Sequence, residues 1–252
     1  RRIRVALRRK KTSPMNTTLR AVAPSPCPND FDSIAFASSR TSTYTVECAD
    51  PHRHDRAVRL LIERMYSWRG LAPVDADVGT ARPDRITLVA SDESAIFGTV
   101  TLGLDGRDGI LADALYPEEL ARLRRRGARL CELTRLAMDT HHNAREVLGA
   151  LLHLVYIHGR LIHGASDVVI EVHPRHAGFY RRMLGFSPIG EERVCQRVNA
   201  PAVLLHLDLR HVDEQIALHG GTSKPGLRSL YPYFFSLAEQ AVLLAQMQQA
   251  AN

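Results

Sequence analysis

The 252-residue chain is 45% hydrophobic and 24% charged, with a formal net charge of +6, a composition that fits a folded domain and excludes a chain disordered throughout. Its basicity is confined to residues 1–20, which hold eight basic side chains and no acid, leaving 25 basic against 27 acidic residues beyond them; no nucleic-acid role is expected of the body. No uninterrupted apolar run approaches the ~18 residues of a membrane span, so no integral membrane span is expected either.

The tail RRIRVALRRKK precedes Met15, and the sequence does not begin with Met. This block is read as upstream sequence or a solvated tail and carries no weight in the functional reading. Residues 12–44 are rich in Ser, Thr, Pro and Asn and lack apolar periodicity, so residues 1–43 as a whole are expected to form a basic, then irregular leader, disordered in part. Cys27, Cys48, Cys131 and Cys195 show no CxxC spacing, and no secretory apolar region precedes them; a reduced, cytoplasmic setting is expected.

From Tyr44 the pattern alternates. YTVECA reads as a strand, and PHRHDRAVRLLIERMYSW sets Val58, Leu61, Ile62 and Met65 at helical spacing. RITLVA and AIFGTVTLGL flank Ser91-Asp92-Glu93-Ser94 as a hairpin. YPEELARLRRRG is a helix with Pro117 in its first turn, ARLCELTRLAM a strand, and AREVLGALLHLVYIHGRLIH a helix apolar on two stripes, which buries it against a sheet. DVVIEVH is a strand, PRHAGFYRRML a helix, and ERVCQRV and AVLLHLDL closing strands. The order predicts an α/β domain over residues 44–210 with a central mixed sheet flanked by helices. Residues 211–252 are predicted to form a helical extension packing on it, with Phe234, Leu237, Ala238, Ala241, Leu244 and Ala245 on one face.

Two stretches carry candidate chemistry. In CELTRLAMD, strict strand alternation points Glu132 and Arg135 to opposite faces. They share a face only if the strand bulges between them, and bulges favour active sites; an ordinary structural ion pair is the other reading. In EVHPRHAGFYRRMLGF, a strand ends at His173, a Pro-started helix presents Tyr180, and Gly185 ends it. Tyr180 taken alone also fits a core aromatic with a wet hydroxyl.

Together with GTVTLGLDGRDGILADALYPEEL, NAREVLGALLH and VCQRVNAPAVLLHLDL, these stretches resemble the GNAT acyltransferase fold from about Tyr44 to Leu209. Within it they are most similar to the N-acyl amino acid synthases, relatives of the acyl-homoserine lactone synthases. The resemblance implies transfer of a long acyl chain from acyl carrier protein to the α-amine of an amino acid, tyrosine above all. It implies no cofactor beyond the donor, which is acyl-phosphopantetheine on the carrier protein. The Glu-x-x-Arg of the homoserine lactone synthases falls on Glu132 and Arg135, and the tyrosine that protonates the departing thiol falls on Tyr180. Thr134, Leu136, Ala137, Asn143, Arg145 and Tyr66 are expected to bind substrate. The Arg/Gln-x-x-Gly-x-Gly/Ala pyrophosphate loop of coenzyme A enzymes is missing: Arg145 is followed by Gly149 and Ala150 without that spacing, which favours a carrier-protein donor.

An α-amine with pKa ~8 must lose a proton before attacking a thioester. Glu132 is the candidate base, worth roughly 10² to 10⁴ in rate. Amide hydrogens freed by a bulge would stabilise the oxyanion. Arg135 suits a carboxylate, so it either holds the acceptor's carboxylate or orients Glu132. Arg124, Arg125 and Arg126, with Arg181 and Arg182, are candidate docking residues for an acidic carrier protein. No metal is expected: His153, His158 and His163 are five apart on a helix, so successive rings turn by about 140° and do not converge. The alternatives are a GNAT N-acetyltransferase using an acyl-coenzyme A donor, and a non-catalytic binding module with a nucleic-acid-binding tail.

Overall fold

The computed structural model describes residues 4–7, 44–68, 84–139, 144–222 and 228–251. The elements run β1 (Arg4–Leu7), β2 (Tyr44–Cys48), α1 (Pro51–Trp68), β3 (Arg85–Ser91), β4 (Ile96–Leu104), α2 (Pro117–Arg125), β5 (Leu130–Met138), α3 (Ala144–Tyr156), β6 (Asp167–Val172), α4 (Pro174–Leu184), β7 (Ser187–Pro188), β8 (Arg193–Cys195), β9 (Ala200–Asp208), α5 (Leu209–His219) and α6 (Leu237–Ala251). The sheet order is β1-β2-β3-β4-β5-β6-β9-β7, with β8 also beside β9. Among the described residues β5 and β6 pair in parallel and the other pairings are antiparallel. The sheet is therefore mixed, as the alternating pattern predicts.

Helices cover both faces. On one, Val100, Leu102 and Cys131 pack beneath Leu148, Leu151 and Leu154 of α3. On the other, α1 sets Val58, Leu61, Ile62 and Met65 against Val89 and Ala137, and α2 sets Leu120 against Leu130 and Val169. Both apolar stripes of α3 are buried, because the helix lies between the sheet and the C-terminal segment. His153 makes the second contact: its Nδ1 accepts from the Phe235 amide at 2.9 Å and its Nε2 lies 3.0 Å from Gln240 Oε1. Past Tyr156 the helix widens into a π-turn, Ile157–Ile162. There Tyr156 and Arg160 both donate to Asp213 of α5, at 2.7 and 2.8 Å.

Three readings change. The leader contributes β1, which pairs along β2 from Arg4↔Glu47 to Leu7↔Tyr44; the rest of residues 1–43 lies outside the described residues. The helical extension expected from residue 211 begins two residues earlier, as helix Leu209–His219, whose first amide bond runs from Arg210 N to the Asp208 carboxylate at 2.8 Å. On α6 the buried face is Leu243 and Met247, while Leu237 is 53% exposed. Helical spacing allows either stripe to face inward, and the side on which Phe235 and Gln240 meet His153 decides it.

Gly149 lies in the second turn of α3 against Tyr233, where an added Cβ would meet the Tyr233 carbonyl oxygen at 2.8 Å and its carbon at 3.0 Å. Backbone cannot swing away as a side-chain tip can. Gly149→Ala should destabilise the fold by about 1–3 kcal/mol, read as a lower denaturant midpoint. A raised donor KM at unchanged stability would instead make Gly149 a phosphate-loop residue.

Candidate active site

The site begins with one extra residue in β5. Thr99 of β4 stands opposite Ala137 and Thr101 opposite Thr134, so Arg135 and Leu136 together face Val100. The register is unbroken from Cys131 to Thr134, so the bulge falls at Arg135 and Leu136, at the end of the Glu-x-x-Arg spacing and not between its two charges. Arg135 adopts φ 53°, a left-handed conformation that costs a side-chain-bearing residue about 1–2 kcal/mol. Downstream of it the alternation inverts: Leu136 and Met138 join the α3 face and Ala137 joins the α1 face.

Next to the bulge the sheet opens. The β5–β6 register ends at Leu133↔Ile170, although β5 continues to Met138 and β6 to Val172. A cavity of about 500 Å³ occupies the opening, lined by residues 132–136 of β5, 170–172 of β6 and the following His173. It reaches both faces of the sheet, with Leu148, Leu152, Leu184 and Phe186 on one side and Arg85, Leu111, Glu132 and Arg197 on the other.

Glu132 is the chemical centre of the polar side. It is 1% exposed; its Oε2 accepts from the Leu111 amide at 2.8 Å, and its Oε1 is buried without a hydrogen-bond partner. Burial pushes its carboxyl up to about 7, against the pull of that amide and of Arg197 and Arg85. A carboxylate near neutrality with one open oxygen is suited to taking a proton.

The residue that binds Glu132 is itself held. Arg197 donates through Nη1 to the Leu111 carbonyl at 2.6 Å, and its Nη2 lies 2.9 Å from both oxygens of Glu171. Sequence reading missed Arg197 and Glu171. It took ERVCQRV as one strand, whereas β8 is only Arg193–Cys195 and residues 196–199 turn, with Asn199 at φ 46°. The turn carries Arg197 back over the cavity. The available signal was Asn199, a residue that tolerates the left-handed region, and Glu171, a carboxylate in a strand as apolar as that of Glu132.

A family model described as N-acyl amino acid synthase FeeM matches residues 57–208. The chain belongs to the N-acyl amino acid synthase family. Among solved structures, that of FeeM, an N-acyl amino acid synthase from uncultured soil microbes, is similar at 27% identity and a TM-score of 0.59 over 66% of this chain and 91% of that chain. An acyl-CoA N-acyltransferase from Pseudomonas aeruginosa is similar at 12% identity and a TM-score of 0.46, over 64% of this chain and 97% of that chain. No curated protein matches. The fold is the GNAT-like acyltransferase fold expected above, and the protein is an N-acyltransferase. No helix among the described residues is long and apolar enough to cross a membrane.

In this N-acyl amino acid synthase the cavity gathers Glu132, Arg135, Thr134, Leu136, Tyr66 and Tyr180 of the expected site residues. Tyr180 reaches it from α4, edge-on to Phe179 and Phe186. Ala137 does not line the cavity; the inverted alternation buries it against α1. Arg145 sits outside the lining in the first turn of α3, and Asn143 lies outside the described residues. Of the docking arginines, Arg181 and Arg182 are exposed at the end of α4. Arg124 is spent on structure, donating to Asp105 and Asp113 at 2.7–2.9 Å. Arg125 and Arg126 are exposed but stand just before Leu130, at the end of β5 that stays paired to β6.

Glu132 also sets a pH-dependent stability. Its folded pKa lies above the ordinary carboxylate value, so the folded state is favoured at low pH and loses that contribution as pH rises through about 7. Glu132→Gln keeps the acceptor for Leu111 and removes the charge. It should lower kcat by roughly 10² to 10⁴ and raise the melting temperature at pH 8 by more than at pH 5. Equal melting shifts at both pH values would mean that folding does not raise the Glu132 pKa.

Proposed function

We propose that the protein transfers a long-chain acyl group from acyl carrier protein to the α-amine of an amino acid, tyrosine being favoured by the resemblance. The observation that carries the reading is the single cavity passing through the split in the sheet, apolar on the α3 side and ending at an open carboxylate oxygen on the other. A thioester in the split would have its acyl chain among Leu148, Leu152, Leu184 and Phe186. The amine then gives its proton to Glu132 Oε1 and attacks the thioester carbon. The edge of β5 past Leu133 has no β6 partner among the described residues, and an amide hydrogen on that edge would stabilise the oxyanion. As the C–S bond breaks, Tyr180 donates a proton to the leaving thiolate and takes back the second proton that the acylated nitrogen sheds. That thiol has pKa ~8.5 unassisted, so Tyr180→Phe should lower kcat less than tenfold.

The donor side is supported by what Gly149 does. It serves packing against Tyr233 rather than a loop for pyrophosphate, and a carrier protein offers one phosphodiester where coenzyme A offers a diphosphate and adenosine. Exposed Arg181 and Arg182 on α4, the helix that follows the split, suit an acidic carrier.

The test is a donor series from two to sixteen carbons on acyl carrier protein and on coenzyme A, with products read by mass spectrometry. Each buried methylene contributes about 0.8 kcal/mol, so kcat/KM should rise roughly fourfold per carbon until the apolar side is filled. Leu152→Trp should shift the optimum to shorter chains. Carrier-protein donors should outperform coenzyme A donors, and 0.5 M salt should narrow the gap. A preference for acetyl-coenzyme A would sink this reading in favour of an N-acetyltransferase.

A further inference from the structure

We propose that Arg85 is the clamp for the acceptor's α-carboxylate and that Gly103 leaves the seat in which the amino-acid head group lies. The inference rests on the acyl-transfer reading above and concerns the acceptor end of the same cavity. Arg85 lies on β3 opposite Gly103 of β4, and Gly103 lies opposite Glu132 of β5. These three positions form one row across the sheet on the face of α1 and α2. The two charged positions are two strand spacings apart, about 10 Å. Gly103 has no side chain to fill the space between them. A Cβ built there would meet nothing closer than 3.9 Å, and the atoms at that distance belong to Glu132.

Charge pairing in the cavity singles out the same two residues. Arg197 and Glu171 neutralise each other. Arg135 is 9% exposed and engaged within the protein. Glu132 Oε1 has no partner. Arg85 is half-buried and lines the cavity, and its side chain makes no hydrogen bond or ion pair among the described residues. An open anion and an open cation facing each other across a glycine are complementary to a zwitterion: the amine on Glu132, the carboxylate on Arg85. A guanidinium fork binds a carboxylate in two parallel hydrogen bonds, and in doing so it orients the amine toward the split. Arg135, one candidate for this role on sequence grounds, is left to shape the bulge.

The acceptor panel is tyrosine, its carboxamide and its decarboxylated amine, each with the best long-chain donor. The wild-type protein should favour tyrosine over the other two by about 10- to 100-fold in kcat/KM, the range expected of a charge-assisted pair. Arg85→Gln should reduce that preference to near unity, through tyrosine KM rather than kcat, and Arg85→Lys should keep part of it. Gly103→Ala fits the protein without a clash and should raise tyrosine KM several-fold with donor KM unchanged, so it tests the seat even if Arg85→Gln fails to fold. The clamp is overturned if the wild type acylates all three acceptors alike, or if Arg85→Gln weakens all three equally. Wild-type protein that acylates none of them, with any donor, overturns the parent reading instead.

Discussion

Everything at this site follows from β5 and β6 parting company while each stays bound to its other neighbour. β5 remains paired with β4 to Met138, and β6 with β9 to Val172. The opening is thus built into the sheet and is not a gap between mobile loops. Backbone amides and carbonyls on the two parted edges lose their strand partners, and such groups are costly to leave unsatisfied. They are tolerated where water or a ligand reaches them, and an extended chain carrying amides, such as a pantetheine arm, is the kind of ligand that supplies what a missing strand would. The bulge at Arg135 lies at the mouth of the split, where the strand must turn away.

Glu132 is held ready by a peptide and not by a counter-ion. Leu111 donates its amide to Glu132 and accepts from Arg197 with its carbonyl. Arg197 is in turn anchored on Glu171. Arg197 therefore braces the residue whose amide holds Glu132, and its charge also pulls on the carboxyl from a distance. A direct ion pair would have held the carboxyl far below neutrality, where it would be a poor acceptor for an ammonium proton. Burial with a single amide hydrogen bond leaves it near 7, and the second oxygen stays open.

Much of this was legible in the sequence, for physical reasons. Period-2 and period-3.6 patterns over β2 to β6 and α1 to α4 each bury one face or stripe, so the order of elements and the two-sided burial of α3 could be read directly. The bulge was legible as a condition, because Glu132 and Arg135 can share a face only if the alternation slips. Where the slip falls was not, and Ala137, expected to bind substrate, is instead buried against α1. Arg197 escaped because a turn with an asparagine at positive φ looks like a continuing strand when only apolar residues are counted. Arg124 looked like a surface charge because its partners Asp105 and Asp113 are 19 and 11 residues away in sequence. The α6 face was misread because its alanine-rich wheel offers two similar stripes, and only the distant His153 chooses between them.

On the proposed function, the two faces of the sheet would also divide the labour of selection. A cavity confined to one face would have to solve the apolar chain and the zwitterion in adjacent volumes, and water carried in with the charged head group would weaken every contact along the chain. Here the sheet itself is the partition. The α3 side can be lined with leucine and phenylalanine without exposing them to the head group, and Glu132, Arg85 and Arg197 can sit in a polar recess without solvating the acyl site. Among the described residues the two sides meet at the gap beside residues 133–136. On the proposed function, this gap is where the thioester carbon must lie, so an amine reaches it only from the side that carries the base. An acceptor that approaches with its amine elsewhere is bound but not positioned, and selectivity then arises from geometry at the split as much as from affinity.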